Sequence, residues 1–422
     1  MAMDRDARAA VAAIDRDTRT RLLAVLASRF GDLDLAEDTL QEALIQALKT
    51  WPETGVPRSP EAWLTTTAKR KALDAVRREG VLARKLAELQ IESDRTAPRA
   101  FGAGPADGEP AGLGDERLAM FFACAHPVLK PDDRLALTLR FVAGLTTAEV
   151  AHALLLPTAT VQQRIVRAKK RIRALGVRFT EPAPAELPER LDCVLRVLYL
   201  LFSEGFARSA GADHVRDDLT AEAIDLARLI QRLSSGAETT GLLALLLLTE
   251  ARRPARTDRE GLPVPLADQD RSLWTPALLT EGIALAEEAA AGEGAASYAI
   301  QAAIAAVHAE APTAEYTDWT QICVLYRLLA THEPGPVVRL GAAVAHGRAY
   351  GPAAGIAGLD ALADDPALAR YRPFHIARAL TLAELGDDAA ATQAYRRALD
   401  LPGNDAEDHF LADALRSSAA RP

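Results

Sequence analysis

Apolar residues along this chain recur every three or four positions far more often than every second one, which predicts helices nearly throughout. The sharpest case is residues 146–178, TTAEVAHALLLPTATVQQRIVRAKKRIRALGVR, which reads as two helices meeting at a tight turn. In the second helix Val161, Ile165, Ala168, Ile172 and Leu175 mark one packed face. The opposite face opens polar and turns basic: Arg164, Arg167, Lys169, Lys170, Arg171, Arg173 and Arg178, with no acidic residue from Thr160 to Arg178. Amide and guanidinium groups at the N-terminal end of such a helix suit base edges, and cations further along suit phosphates.

Other signals place further helices. Asp34 with Glu37 three residues on predicts a capping box that opens a helix running to Trp51, and the Pro52–Pro57 stretch should break it. Ser59, Pro60 and Glu61 are the cap, first-turn and dipole residues of a new helix over Trp63–Glu79. Residues 94–114, rich in Gly, Pro and Ala without periodicity, predict a flexible linker. Pro182, Pro184 and Pro188 mark a later boundary. Near the end, Ala379–Gly403 has the helix–turn–helix rhythm of a tetratricopeptide repeat, and Tyr350-Gly351-Pro352 echoes Leu385-Gly386-Asp387 35 positions earlier. A helical solenoid is the expectation for the tail.

Charge divides the chain. The net charge of −9 sums a front of +5 over residues 1–180, which holds all seven lysines, and a back of −14 over residues 181–422. Only the front should therefore meet nucleic acid. At 422 residues, 49% hydrophobic and 25% charged, the chain should form two or three globular domains. The longest apolar run, Leu242–Leu248, is too short to cross a bilayer, and the charged N-terminus lacks a signal-peptide core, so no membrane partner and a cytoplasmic location are expected. Cys124, Cys193 and Cys323 fit no disulfide or zinc spacing and should be small buried hydrophobes. His126, His152, His214, His308, His346 and His375 are dispersed without metal-ligand spacing, and no phosphate loop or nucleophile elbow is present. No enzyme activity, cofactor or metal is expected.

Two basic helical modules joined by a linker suit a protein that touches DNA at two separated places, and here the sequence resembles the extracytoplasmic-function (ECF) group of sigma-70 factors. Asp34–Leu48 (DLAEDTLQEALIQAL) resembles the polymerase-binding helix of sigma region 2. Ser59–Arg78 (SPEAWLTTTAKRKALDAVRR) resembles the segment that melts and reads the −10 element, and the basic helix resembles the −35 reader of region 4. The resemblance implies an all-α chain: region 2 over 1–90, a linker over 91–114, a four-helix region 4 over 115–178, and a tetratricopeptide-like array over 183–422. It also implies core RNA polymerase (β′ clamp helices and β flap) and promoter DNA as partners. Asp38, Gln41 and Glu42 would dock on polymerase. Trp63, Lys69, Arg70, Lys71, Arg77 and Arg78 would meet the −10 strands, with Thr50–Arg58 as a loop holding an extruded base. Thr160, Gln162, Gln163 and Arg164 would read the −35 element, with Arg167, Lys170 and Arg171 on phosphates.

This sequence departs from the group at Arg70, where many relatives carry Asn, and at Gln162-Gln163, where Lys-Ser is common. Its helix–turn–helix turn is Leu154-Leu155-Leu156-Pro157 rather than one containing Gly. LPERL, YLLFSEGF, DQDRSLWTP and QAAIAAVHAEA in the tail resemble a subgroup with a helical-repeat extension. That acidic extension is expected to regulate, by inhibition, by a polymerase contact or by binding a ligand, with a surface patch around Trp274, His308 and Trp319. The rival reading is a helix–turn–helix regulator or adaptor whose tail binds a peptide or metabolite.

Overall fold

The computed structural model describes residues 2–14, 16–91, 116–180 and 182–419, with side chains absent from the description over 79–116. Apart from Ile91, the linker expected at 91–114 lies outside the described residues. Among the described residues every regular element is helical, as expected of an all-α chain, and the extended pairings are two isolated bridges, Gly211 with Asn404 and Thr257 with Pro263.

The chain divides into two compact units, Met1–Val150 with Thr158–Val197, and Ala151–Pro157 with Leu198–Pro422. The modules expected at 1–90 and 115–178 thus share one unit except for residues 151–157, and the boundary expected near Pro182–Pro188 falls later.

In the first unit, α1 (Ala2–Ala12), α2 (Arg16–Phe30), α3 (Leu33–Thr54) and α4 (Pro60–Ile91) form the front bundle. The cap of α3 is Asp32 rather than Asp34: its carboxylate accepts from the Asp34 and Leu35 backbone N–H groups at 2.9 and 3.2 Å. The helix also runs through Pro52, ending at Gly55 (φ 83°). Pro52 costs the ladder the bond its own nitrogen would make, but the turn around it still closes, with Gly55 N–H on Trp51 O at 3.0 Å, so the loop expected over Thr50–Arg58 shrinks to 55–59. Next come α5 (Glu116–Cys124), α6 (Pro131–Phe141), α7 (Thr147–Ala153) and α8 (Thr158–Leu175). The start of α9 (Leu187–Phe206) closes this unit, because the buried Arg190 donates to Phe122 O at 3.1 Å and pairs with Glu186 at 2.8 Å.

The second unit continues with α10 (Asp217–Leu233), α11 (Ala237–Glu250), α12 (Pro276–Ala291), α13 (Ser297–Glu310) and α14 (Trp319–His332). It ends with α15 (Pro336–Tyr350), α16 (Pro352–Asp360), α17 (Arg372–Glu384), α18 (Asp388–Leu399) and α19 (Asp405–Ala419). Its apolar clusters are small and serial: Ile304, Ile322 and Ala345 join α13 to α15, Leu340, Leu359 and Phe374 join α15 to α17, and Ala379, Tyr395 and Leu411 join α17 to α19. Such nearest-neighbour cores are the signature of a repeat array. The two turns that echo each other both use left-handed glycines, Gly351 (φ 99°) and Gly386 (φ 78°). The last turn of this array returns to its beginning. Asn404 Nδ2 donates to Arg208 O at 2.8 Å and lies 3.3 Å from His214 Nδ1, and Asp405 N donates to Gly211 O at 2.9 Å.

Candidate nucleic-acid and polymerase interface

The turn between α7 and α8 is a Schellman closure: Leu156 N–H bonds Ala151 O at 2.9 Å and Leu155 N–H bonds His152 O at 3.0 Å. Leu155 takes the left-handed conformation (φ 54°), the conformation for which glycine is usually chosen. Pro157 then precedes α8, whose Val161, Ile165, Ala168 and Ile172 are buried as the periodicity predicts, whereas Leu175, expected on the same face, is 49% exposed because the helix ends there.

On the other face Gln162 and Gln163 are exposed in the first turns, with Thr160 and Arg164 half-buried beside them. The basic residues fall into two classes. Arg164 pairs with Asp132 at 2.9 Å and Arg167 with Asp133 at 2.8 Å, so α8 is fastened to the start of α6. The bond from the Asp133 carboxylate holds the Arg167 guanidinium above its ordinary value. Lys169 pairs with Asp34 and Arg173 with Asp32 at 3.3 Å, tying α8 to the start of α3, where Arg140 also meets Glu37 at 2.6 Å. Lys170 and Arg171, by contrast, are exposed and have no ion-paired partner among the described residues.

On α4, Trp63 packs edge-on against the buried Trp51 with centroids 5.4 Å apart, and Leu64 is fully buried. Lys71 pairs with Glu42 at 3.1 Å, and Lys69 is half-buried. Arg70, Arg77 and Arg78 are exposed. Leu73 and Val76, which the basic pattern concealed, lie exposed among them (39% and 45%) and add an apolar surface.

On α3, Asp38, Gln41 and Glu42 are exposed as expected, and Ile45 (52%) and Leu48 (40%) extend the same face. Helical spacing makes 38, 41, 42, 45 and 48 neighbours, so this face is acidic at one end and apolar at the other. The sequence signal for Ile45 and Leu48 was there, an apolar pair on the polar side of the wheel. In the second unit, the edge of the His308 ring meets Trp319 (centroids 5.1 Å), while Trp274 is 3% exposed. Trp274 is thus packed inside rather than presented on the expected surface patch, because Thr275 N–H bonds Ala251 O and draws it inward. No group of His, Cys, Asp and Glu among the described residues is arranged to hold a metal, and no helix there is long and apolar enough to cross a membrane.

Comparison with known proteins matches three stretches of the chain. Residues 15–81 match Sigma-70 region 2, residues 122–172 match Sigma-70 region 4, and residues 190–290 match a family of unknown function (DUF6596). An uncharacterised protein of Rhizobium meliloti (strain 1021) is 40% identical over 96% of this chain and 95% of its own. The ECF RNA polymerase sigma factor SigK of Mycobacterium ulcerans (strain Agy99) is 31% identical over 37% of this chain and 80% of its own. No solved structure matches. With both sigma regions matched in order, and with a sigma factor of this group aligned over most of its length, the chain belongs to the ECF sigma-70 factors and carries a C-terminal extension.

Proposed function

We propose that this sigma factor binds core RNA polymerase through the α3 face of Asp38, Gln41 and Glu42, with Ile45 and Leu48 anchoring the contact, and directs promoter-specific initiation. The β′ clamp helices would receive α3, and the β flap would receive region 4. The observation that carries the reading is the division of labour on α8. Exposed Gln162 and Gln163 stand at its N-terminal end, paired Arg164 and Arg167 fix its pose, and unpaired Lys170 and Arg171 follow. Adjacent glutamines suit adenine edges in the major groove. On α4, exposed Arg70, Arg77 and Arg78 with Leu73 and Val76 suit the separated strands of the −10 element.

In vitro transcription tests it: core enzyme should yield new start sites only when this chain is added. Correctly folded protein that yields none on a genome-wide template set refutes it. The C-terminal extension, in this reading, modulates that activity. A chain ending at Phe206 keeps Arg190 and its partners, whereas one ending at Thr180 loses them. Promoter activity of the Phe206 truncation equal to that of the full chain, with both folded, removes the modulating role.

A further inference from the structure

Three tail segments singled out by their sequence, YLLFSEGF, DQDRSLWTP and QAAIAAVHAEA, converge in the second unit on a knot of arginines just past α11. Arg256 is buried against the Phe206 ring, 3.3 Å from its centroid, where it donates to Phe206 O and lies 3.2 Å from His214 Nε2. It is fully employed within the fold. Arg271 is employed too: its Nη1 donates to His308 O at 2.6 Å and Ala311 O at 2.7 Å, capping the end of α13, while its guanidinium lies 4.5 Å from the Trp274 ring centroid.

Arg252 has no such employment. It is half-buried, lies 5.8 Å from the Phe206 ring centroid and is brought beside Trp274 by the Thr275 N–H bond to Ala251 O at 2.9 Å, without a hydrogen-bonded or ion-paired partner among the described residues. Burial and the neighbouring Arg271 push its guanidinium down to about 10. His308 feels the same field, since burial and then Arg252 and Arg271 hold its imidazole at about 4, and its Nδ1 is buried with no partner. Trp274 Nε1–H is likewise buried and unbonded.

The nearby carboxylates face other partners, although Glu250 keeps one oxygen, Oε2, buried without a hydrogen bond. Glu250 pairs with Arg253 at 2.7 Å, Glu407 with Arg372 at 3.2 Å, and Asp270 caps Ser272 at 2.9 Å. A partly desolvated cation beside a second cation and two orphaned polar groups is unfavourable unless an anion joins them. Guanidinium forks bind tetrahedral oxyanions with paired hydrogen bonds, and two cations balance a dianion.

We propose that Arg252, with Arg271, His308 and the Trp274 indole N–H, forms a binding site for the phosphoryl group of a small metabolite within the C-terminal extension. The aromatic rings of Trp274, Trp319 and Phe206 supply the dry walls that strengthen such a contact. The site explains why a chain segment of net negative charge keeps a cluster of arginines without carboxylate partners.

The full chain, titrated with inorganic phosphate at pH 8 and constant ionic strength, tests this by calorimetry and thermal melting. One phosphate should bind and raise Tm, and Arg252→Met should weaken binding at least tenfold. Because it removes an uncompensated cation, Arg252→Met should also melt higher than the native chain in phosphate-free buffer. A merely structural arginine gives the opposite sign, so a lower melting point in that buffer overturns the site. Arg252→Lys, which keeps the charge, should retain binding in part, and a Lys variant that binds no phosphate while folded counts against the site. A native response no larger than that to sodium chloride, or an equal response to acetate, overturns the phosphoryl assignment.

Discussion

The two classes of cation on α8 make a quantitative prediction about DNA binding by the holoenzyme. Each phosphate neutralised by a side chain adds about 0.9 to the slope of log affinity against log salt, so a fourfold rise in salt costs roughly 3.5-fold per contact. Lys170 and Arg171 are exposed and unpaired, so each should contribute close to that full amount. Arg171→Ala should lower the slope by about one, and Lys170→Ala with Arg171→Ala by roughly two, on every sequence alike. Arg167 is already bonded to Asp133, by Nη2 at 2.8 Å and Nε at 3.4 Å. Arg167→Ala should change the slope by less than half as much. It should instead lower the melting temperature, because it leaves the Asp133 carboxylate, 6% exposed, without its cation. Gln163→Ala should leave the slope alone and relax discrimination at one base pair by about 1–3 kcal/mol. The assay is fluorescence anisotropy of labelled promoter duplexes with the holoenzyme between 50 and 200 mM salt, on matched and singly substituted sites. Equal slope changes for Arg167 and Arg171, or a uniform loss on all sequences for Gln163, would refute the reasoning.

Other surfaces give sharper yes-or-no outcomes. Ile45→Asp or Glu42→Arg should weaken binding to core polymerase at least tenfold without altering the fold, whereas a solvated face would tolerate both; surface plasmon resonance against core enzyme decides. Leu155→Gly should change stability by less than about 1 kcal/mol, since relief of left-handed strain offsets the lost contact of a half-buried leucine; a loss above about 2 kcal/mol in urea unfolding contradicts it. His214 is held at about 4 by burial and then by Arg256, so it is neutral when folded. Above pH 6.5 neither folded nor unfolded chain protonates it. As pH falls from 6.5 to 4 only the unfolded chain gains the proton, and stability should decline by about 3 kcal/mol. His214→Gln should flatten that decline in thermal melts of the full chain, and an identical profile would show that His214 is not its source.

The clasp between the two sigma regions bears on the docking surface. Asp32, Asp34 and Glu37 at the start of α3 are held by Arg173, Lys169 and Arg140, while Asp38 and Glu42 further along remain exposed. One helix therefore carries both an internal seam and an exposed acidic edge, of which Glu42 is itself paired with Lys71 of α4. Substitutions at Asp34 test the seam, and those at Glu42 test the edge.

The sequence by itself determined the all-helical class, the buried stripe of α8, the N-terminal turn of α4 at Pro60 and the basic front set against an acidic back. These are local or summed properties: periodicity follows from 3.6 residues per turn, caps from the residues at a helix end, and charge from composition. The paired region 2 and region 4 motifs were legible for the same reason, since each lies within one continuous stretch. Only the tertiary structure decided which cations are free. Arg140 meets Glu37 across 103 positions and Lys169 meets Asp34 across a comparable gap, so no window of sequence reports their neutralisation. The same holds where the sequence reading erred. Asp32 displaced Asp34 as the cap because backbone geometry chose the acceptor, and α3 passed through Pro52 because the loss of one ladder bond is offset by the turn that Gly55 N–H closes on Trp51 O. Long-range closure was also invisible: Asn404 reaches back to Arg208 across 196 positions, and three tail segments far apart in sequence meet around Arg252, Arg256 and Arg271. Local interactions are written along the chain. Burial, and with it the partner left to each charge, comes into being only when distant helices pack.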